Sequence, residues 1–391
     1  MTPPIYVDYN ATTPVAAEVS AAILPWLMEQ FGNPSSSHAQ GLLARDAMQR
    51  AREQVAALIG AHADEIVFTG SATEADNLAV LGVSRALPHK RHVIVSAVEH
   101  PAVLQPALYL RESGWDVTII PVDGTGRVAV SDVEAALRRD TALISVMHAN
   151  NEVGTLQPVA EIARLARPRG ILVHTDAAQS VGKVPVNAAQ LGVDLLTMAG
   201  HKFYAPKGVG ALYVRRGTPI TPISFGGEQE RSLRPGTENV AFAVGLGAAC
   251  RLVRQRWPAV SADLLALRDR LHQTLLSDVP GLRLNGHPEH RLPNTLHVSF
   301  PGVSGKDLLH HASEVVAASL GSACHSATDR VSGVLAAMGL DAERARGAVR
   351  LSVGWPTLAV DVDRIADALI HSWNTLVGRG AARDHSRTPQ V

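Results

Sequence analysis

The sequence predicts an α/β fold, a mostly parallel sheet in a large domain joined to a smaller α+β domain. Three observations lead there. Between Arg91 and Val186 short apolar runs alternate with helix-length amphipathic segments, the rhythm of a parallel sheet covered on both faces. The chain has 391 residues, 46% of them apolar, enough for a large core and more than one compact unit. Beyond about residue 276 the rhythm changes, and strands and helices no longer alternate regularly.

In order, residues 5–14 read as a short strand and a polar turn, followed by a helix over 16–29. The polar stretch Phe31–His38 is irregular, and a helix over 41–59 has one apolar and one Arg-rich face. Glu65–Asn77 is a strand, a small-residue turn and a helix start that continues to about Leu87. Strands follow at 92–96, 116–120, 142–147 and 172–175, and helices at 102–113, 131–138 and 159–167. Two buried strands, 193–198 and 210–214, flank a Gly/Pro-rich bend. The Gly-rich, charged segment 225–239 is too long for a plain connection. Helices at 240–255 and 261–276 lead into strands at 282–285, 295–300 and 349–353, a helix at 306–311 and a last helix over 362–376. These elements divide the chain into a large domain, 15–245, and a small one, 1–14 with 246–378. Residues 379–391 read as a disordered tail.

With 36 basic and 36 acidic residues the formal charge is zero, which speaks against a nucleic-acid track or an anionic membrane surface. No basic leader or membrane-length apolar run occurs, so a cytoplasmic protein is expected. Cys250 lies on an apolar helix face, as an inert core thiol does. Cys324 lies among small and polar residues beside His325, the setting of a loop nucleophile.

Ligands of open α/β sheets collect beyond the carboxyl ends of the strands. Polar residues cluster there four times: Glu99-His100, His148–Glu152, Asp176–Gln179 and His201-Lys202. Lys202 leaves the sheet between an apolar run and the bend, where partial burial lowers an amine's pKa and lets it attack an aldehyde near neutral pH. Ser71, Ala72 and Thr73 open a helix with free N–H groups, which serve equally as a phosphate cradle or a plain cap. Alone, Asp176 also reads as a helix cap, His100 as a structural histidine and Arg350 as a solvated strand residue.

In shared order along nearly the whole chain, Tyr6–Pro14, Gly32–Ser36, Ala72–Glu74, Glu99-His100, Asn150–Gly154, Asp176–Lys183, Gly200–Lys202, Arg234–Asn239, Gly321–Cys324 and Arg350–Val353 resemble one family. It is the pyridoxal-phosphate cysteine desulfurases, with the selenocysteine lyases, in the class V aminotransferase group. The resemblance implies the type I fold of pyridoxal 5'-phosphate enzymes and a sheet-end cofactor site. Lys202 is then the covalent anchor, Asp176 the partner of the ring nitrogen, Gln179 and Asn151 the contacts to the ring hydroxyl, and His100 the residue stacked on the ring. Ala72, Thr73 and His201 hold the phosphate, with Thr237 reaching from a second subunit of a homodimer with composite sites. Arg350 clamps the carboxylate of L-cysteine or L-selenocysteine, and Asn33 and Asn151 are further substrate contacts. Cys324 takes the chalcogen as a persulfide and passes it to a protein acceptor, with iron–sulfur cluster biogenesis among the processes so served. Cysteine desulfurase activity is the expectation. Selenocysteine lyase, and after it an aminotransferase or β-lyase of the same fold, are the alternatives.

Two positions depart from the family pattern. Ala199 stands where a hydroxyl residue commonly meets the phosphate, which points to Thr197 as the compensating hydroxyl. Tyr204-Ala205-Pro206 replaces the usual Tyr-Gly-Pro in the bend.

Overall fold

The computed structural model describes residues 3–257, 259–321 and 332–385. Its strands are β1 (Ile5–Tyr6), β2 (Ile66–Thr69), β3 (His92–Ser96), β4 (Asp116–Ile120), β5 (Thr141–Ser145), β6 (Leu172–Asp176), β7 (Leu195–Ala199), β8 (Gly210–Val214), β9 (Arg283–Leu284), β10 (Thr295–Ser299), β11 (Val316–Ala317) and β12 (Ala348–Ser352). The helices are α1 (Ala17–Met28), α2 (Ala39–Ile59), α3 (Ala72–Ala86), α4 (Pro101–Glu112), α5 (Val130–Ala136), α6 (Val159–Ala166), α7 (Ala188–Leu191), α8 (Val240–Arg256), α9 (Ala259–Asp278), α10 (Gly305–His311), α11 (Gly333–Ala337), α12 (Ala342–Arg346) and α13 (Ala359–His385).

The central sheet has seven strands in the order β2-β8-β7-β6-β5-β3-β4. β4, β3, β5, β6 and β7 pair in parallel, and β8 alone runs against its neighbours β7 and β2. The expected mostly parallel α/β sheet is therefore present. Strand alternation sends side chains to two covered faces. Ile94, Leu196, Met198 and Tyr213 join one buried cluster with α1, α2, α6 and α8, while Val93, Val95, Leu195 and Leu212 join another with α3 and α4. A third core gathers α9, α10, α13, β10 and β12, and it includes Val7 from the N-terminal segment.

The last helix departs from expectation. It continues through Gly378 to His385, where the sequence reading had a disordered tail over 379–391; residues 386–391 lie outside the described residues. Extending a formed helix gains one hydrogen bond per residue fixed, and Gly378 and Gly380 oppose that by only about 1 kcal/mol each. β11 and the short helices α7, α11 and α12, of two to five residues, carried no periodic signal.

Candidate active site

A cavity of about 270 Å³ lies where the segments after β2, β3, β5, β6 and β7 converge, closed from the other side by Asn10, Ala11, Gly321, Val334 and Arg350. A wider cleft of about 460 Å³ holds the Arg52–Glu230 ion pair and none of the expected catalytic or cofactor residues. The chemistry gathers in the smaller space.

Lys202 ends a single helical turn, Gly200–Lys202, that leaves β7 before the chain returns as β8. Its Nζ donates to the main-chain oxygens of Asn10 (2.5 Å) and Ala11 (2.9 Å). Burial, helped by the Arg350 charge, lowers its pKa to about 8 against the pull of Asp176 and Asp8. About a tenth of the amine is then neutral and nucleophilic at pH 7, against less than about a thousandth for an ordinary lysine.

Asp176 ends β6 and is buried; its Oδ1 accepts the Ala178 N–H at 2.8 Å. Burial raises its pKa, with His100 and Lys202 pulling the other way. A ring cation set against it would restore the carboxylate. Gln179 Nε2 donates to Asn10 O at 2.9 Å. His100 caps α4, its Nδ1 accepting the Ala102 N–H at 3.1 Å, so the proton of the neutral ring sits on Nε2. Burial lowers the His100 pKa and favours that neutral form. Beside it Glu99 Oε1 accepts from Ser96 Oγ and Met147 N, while Oε2 is buried without a hydrogen-bond partner. Burial pushes the Glu99 pKa up to about 8, so it carries its proton at neutral pH.

At the other end Ser71 caps α3 by accepting the Glu74 N–H, leaving the first turn's N–H groups for an anion. Gly210 makes this cradle possible. A Cβ there would stand 2.8 Å from the Ser71 carbonyl carbon and 3.0 Å from the Ala72 nitrogen. Ala72, Thr73, Ala199 and His201 line this cavity. His201 Nδ1 lies 3.2 Å from Thr12 Oγ1, and burial with neighbouring lysines lowers its pKa to about 4. Thr197 does not compensate for Ala199. Its hydroxyl is fully buried and bonded to His174 Nε2 at 3.0 Å; Thr197 shares a face of β7 with Ala199 but lies two residues further from the strand's carboxyl end, against that histidine.

Arg350, buried on β12, is already engaged. Nη1 donates to Asn151 O (2.8 Å) and Gly321 O (2.6 Å), and Nη2 to Asp8 Oδ1 (2.6 Å) and Ser319 Oγ (2.9 Å). Its Nε alone is unpartnered. A carboxylate gripped by both prongs would have to displace one of these partners. Asn151 lines the cavity as well.

The structure thus brings together Lys202, Asp176, Gln179, His100, Asn151, Ala72, Thr73, His201 and Arg350. Asn33 and Thr237 are exposed and do not line this cavity. Cys324 and His325 lie outside the described residues. Sequence reasoning missed the roles of Asp8 and Asn10, whose partners are distant in the chain, and of Lys183, which joins distant Asn10 to nearby Gln179. Lys183 left one signal, its position four residues after Gln179 in an otherwise apolar setting.

The class-V aminotransferase family model matches residues 5–365. Cysteine desulfurase IscS of Dictyoglomus turgidum is 46% identical over 367 residues, 93% of each chain. A cysteine desulfurase of Trichormus azollae is 45% identical over 366 residues, 93% of this chain and 92% of that one. Among solved structures, a NifS-like protein superposes with a TM-score of 0.89 at 36% identity, covering 95% of this chain and 100% of the other. The sheet-end cavity, its half-buried lysine and buried carboxylate, and these matches together establish that the chain belongs to the class-V aminotransferase family and, within it, to the cysteine desulfurases.

Proposed function

We propose that the chain binds pyridoxal 5'-phosphate and converts L-cysteine to L-alanine, leaving the sulfur as a persulfide on Cys324. One observation carries this reading: a lysine with its pKa lowered to about 8 and a buried carboxylate, Asp176, face one cavity. The donor set fits the cofactor, with an amine for its aldehyde, a carboxylate for its ring nitrogen, and the α3 start over Gly210 for its phosphate. When bound, the cofactor supplies an electron sink that stabilises negative charge on the substrate's α-carbon.

In this reading Lys202 would hold that aldehyde carbon through Nζ until the substrate's amine replaces it, and the freed amine would then take the substrate's α-proton. Asp176 would keep a proton on the ring nitrogen, Gln179 and Asn151 would hold the ring oxygen, and His100 would offer its Nε2 proton for exchange. Ala72, Thr73 and His201 hold the phosphate, joined by Thr237 of a second copy. Arg350 grips the substrate carboxylate, with Asn33 at the substrate side. Cys324 attacks as thiolate. The new S–S bond forms as the C–S bond breaks, and the C–S electron pair stays with the substrate carbon, which is protonated to alanine. The persulfide then passes to a protein acceptor.

A homodimer goes with this reading, supported by the exposed apolar residues Leu24, Leu27, Met28 and Phe31 in and just after α1. So does a two-domain division, which we set after α8 rather than at residue 245, since the buried residues of that helix through Val253 belong to the large core. Among the described residues no helix is long and apolar enough to cross a membrane. A cytoplasmic setting suits a thiol that must stay reduced.

The test supplies L-cysteine or L-selenocysteine to the purified chain, measures alanine and released chalcogen, and locates the added sulfur by mass. Alanine with a persulfide on Cys324 is expected, abolished by Cys324→Ser while the cofactor stays bound. Turnover confined to selenocysteine, or unchanged in Cys324→Ser, overturns it.

A further inference from the structure

Lys183 is completely buried, and the reaction outlined above does not use it. Its Nζ has two hydrogen-bond acceptors, Gln179 Oε1 at 2.8 Å and Asn10 Oδ1 at 2.9 Å. The opposite end of the Gln179 amide faces Asn10 O, a main-chain oxygen that can only accept. Chemistry therefore fixes the amide with Nε2 toward Asn10 and Oε1 toward Lys183. One hydrogen on Nε2 goes to Asn10 O, and the second is left over on a residue that lines the cavity.

We propose that Lys183 is a positioning residue that locks the Gln179 amide, so that Gln179 meets a bound group's anionic oxygen as a hydrogen-bond donor and never as an acceptor. The inference rests on the reading of this cavity as a pyridoxal-phosphate site. As a neutral amine it has two N–H bonds for these two acceptors, and Asn10 O, which can only accept, keeps the amide from turning its Nε2 to the amine's lone pair. Burial and the nearby Lys202 and Arg350 charges hold the Lys183 pKa well below its usual value, in keeping with that count. With Asn294, Thr295 and Ser352, the same lysine also steadies Asn10, whose main-chain oxygen receives Lys202 Nζ.

Lys183→Met keeps the length and removes the donors. Lys183→Leu, which likewise lacks donors and is shorter, carries the same test if the methionine variant fails to fold. Full-length apo-chains are titrated with pyridoxal phosphate, and the loaded proteins are then titrated with pH while the cofactor absorbance is followed. The variant should bind the cofactor about tenfold more weakly, the worth of one hydrogen bond to a charged group. Its absorbance midpoint should move up by about one pH unit, because losing a donor disfavours the anionic oxygen. Lys183→Gln, which restores an N–H donor, should return most of both effects. In a Gln179→Leu background Lys183→Met should leave the midpoint where Gln179→Leu alone puts it. A midpoint that stays at the wild-type value in Lys183→Met, or one that shifts equally with and without Gln179, overturns this inference alone. A wild-type chain that takes up no pyridoxal phosphate overturns the reading of the cavity and this inference with it.

Discussion

Arg350 and Asp8, 342 positions apart, form an ion pair of 2.6 Å at the wall of the cavity, with the arginine side chain 3% exposed and the aspartate 17%. Both charges act on Lys202. Arg350 lowers the lysine's pKa and Asp8 raises it. Only the neutral amine attacks an aldehyde, so capture of pyridoxal phosphate by the apo-chain should quicken as pH rises, with a midpoint near 8. Asp8→Asn removes a charge that favours the ammonium, and the midpoint should fall. Stopped-flow absorbance across pH 6 to 10, on the scale of about two units either side of that midpoint, checks both values. The same variant strands a buried guanidinium and should lower unfolding stability by about 3 kcal/mol.

Glu99 should govern part of the pH dependence of stability. Its pKa is raised from 4.5 to about 8 by burial, so between those values the folded chain binds more protons than the unfolded one. Its contribution is fully present below about pH 4.5 and is lost as pH climbs through about 8. Glu99→Gln keeps an oxygen for Ser96 and Met147 and cannot ionise. Denaturant melts of the apo-chains should show the variant gaining on wild type between pH 5 and 8, by up to about 4 kcal/mol. Parallel curves would mean that Glu99 ionises normally.

Cys250 is fully buried on α8, and burial pushes its thiol pKa far up. Native Cys324→Ser protein should therefore resist a water-soluble thiol reagent, and take up one label per chain only after denaturation. Rapid labelling of the native variant would contradict this.

Gly210→Ala should weaken cofactor binding by about tenfold or more, because the added carbon meets the backbone at Ser71 and Ala72 as well as the Met198 carbonyl oxygen of β7. Equilibrium titration, with circular dichroism as the folding control, measures it.

What the sequence disclosed follows from where each residue's partners lie. Lys202, Asp176 and His100 were legible because each ends or follows a strand whose apolar run is unmistakable, and in this architecture strand ends converge. The central strands were legible for the same reason; the expected runs at 92–96, 116–120 and 210–214 match β3, β4 and β8. Asn10 was not, since its contacts reach Asn151, Lys183, Thr295 and Ser352, which no local pattern brings together. Arg350 was read as a clamp without its four present partners, two of which, Asp8 and Ser319, reach it from separate parts of the chain. Thr197 and Ala199 lie two apart on β7, and only the packing of His174 decides that the threonine hydroxyl is already engaged.

Residues 5–10 leave the ribosome long before their partners at 315–352. Ile5 N bonds Val315 O, Asn10 N bonds Ser352 Oγ, and Ser352 N bonds Val7 O. Asn10 and Ala11 in turn receive the Lys202 amine. A nascent chain can therefore build much of the seven-stranded sheet early, but cannot seat that amine until translation has passed residue 352. Loading belongs to the finished polypeptide, and truncations ending before β12 should remain sheet-rich and colourless.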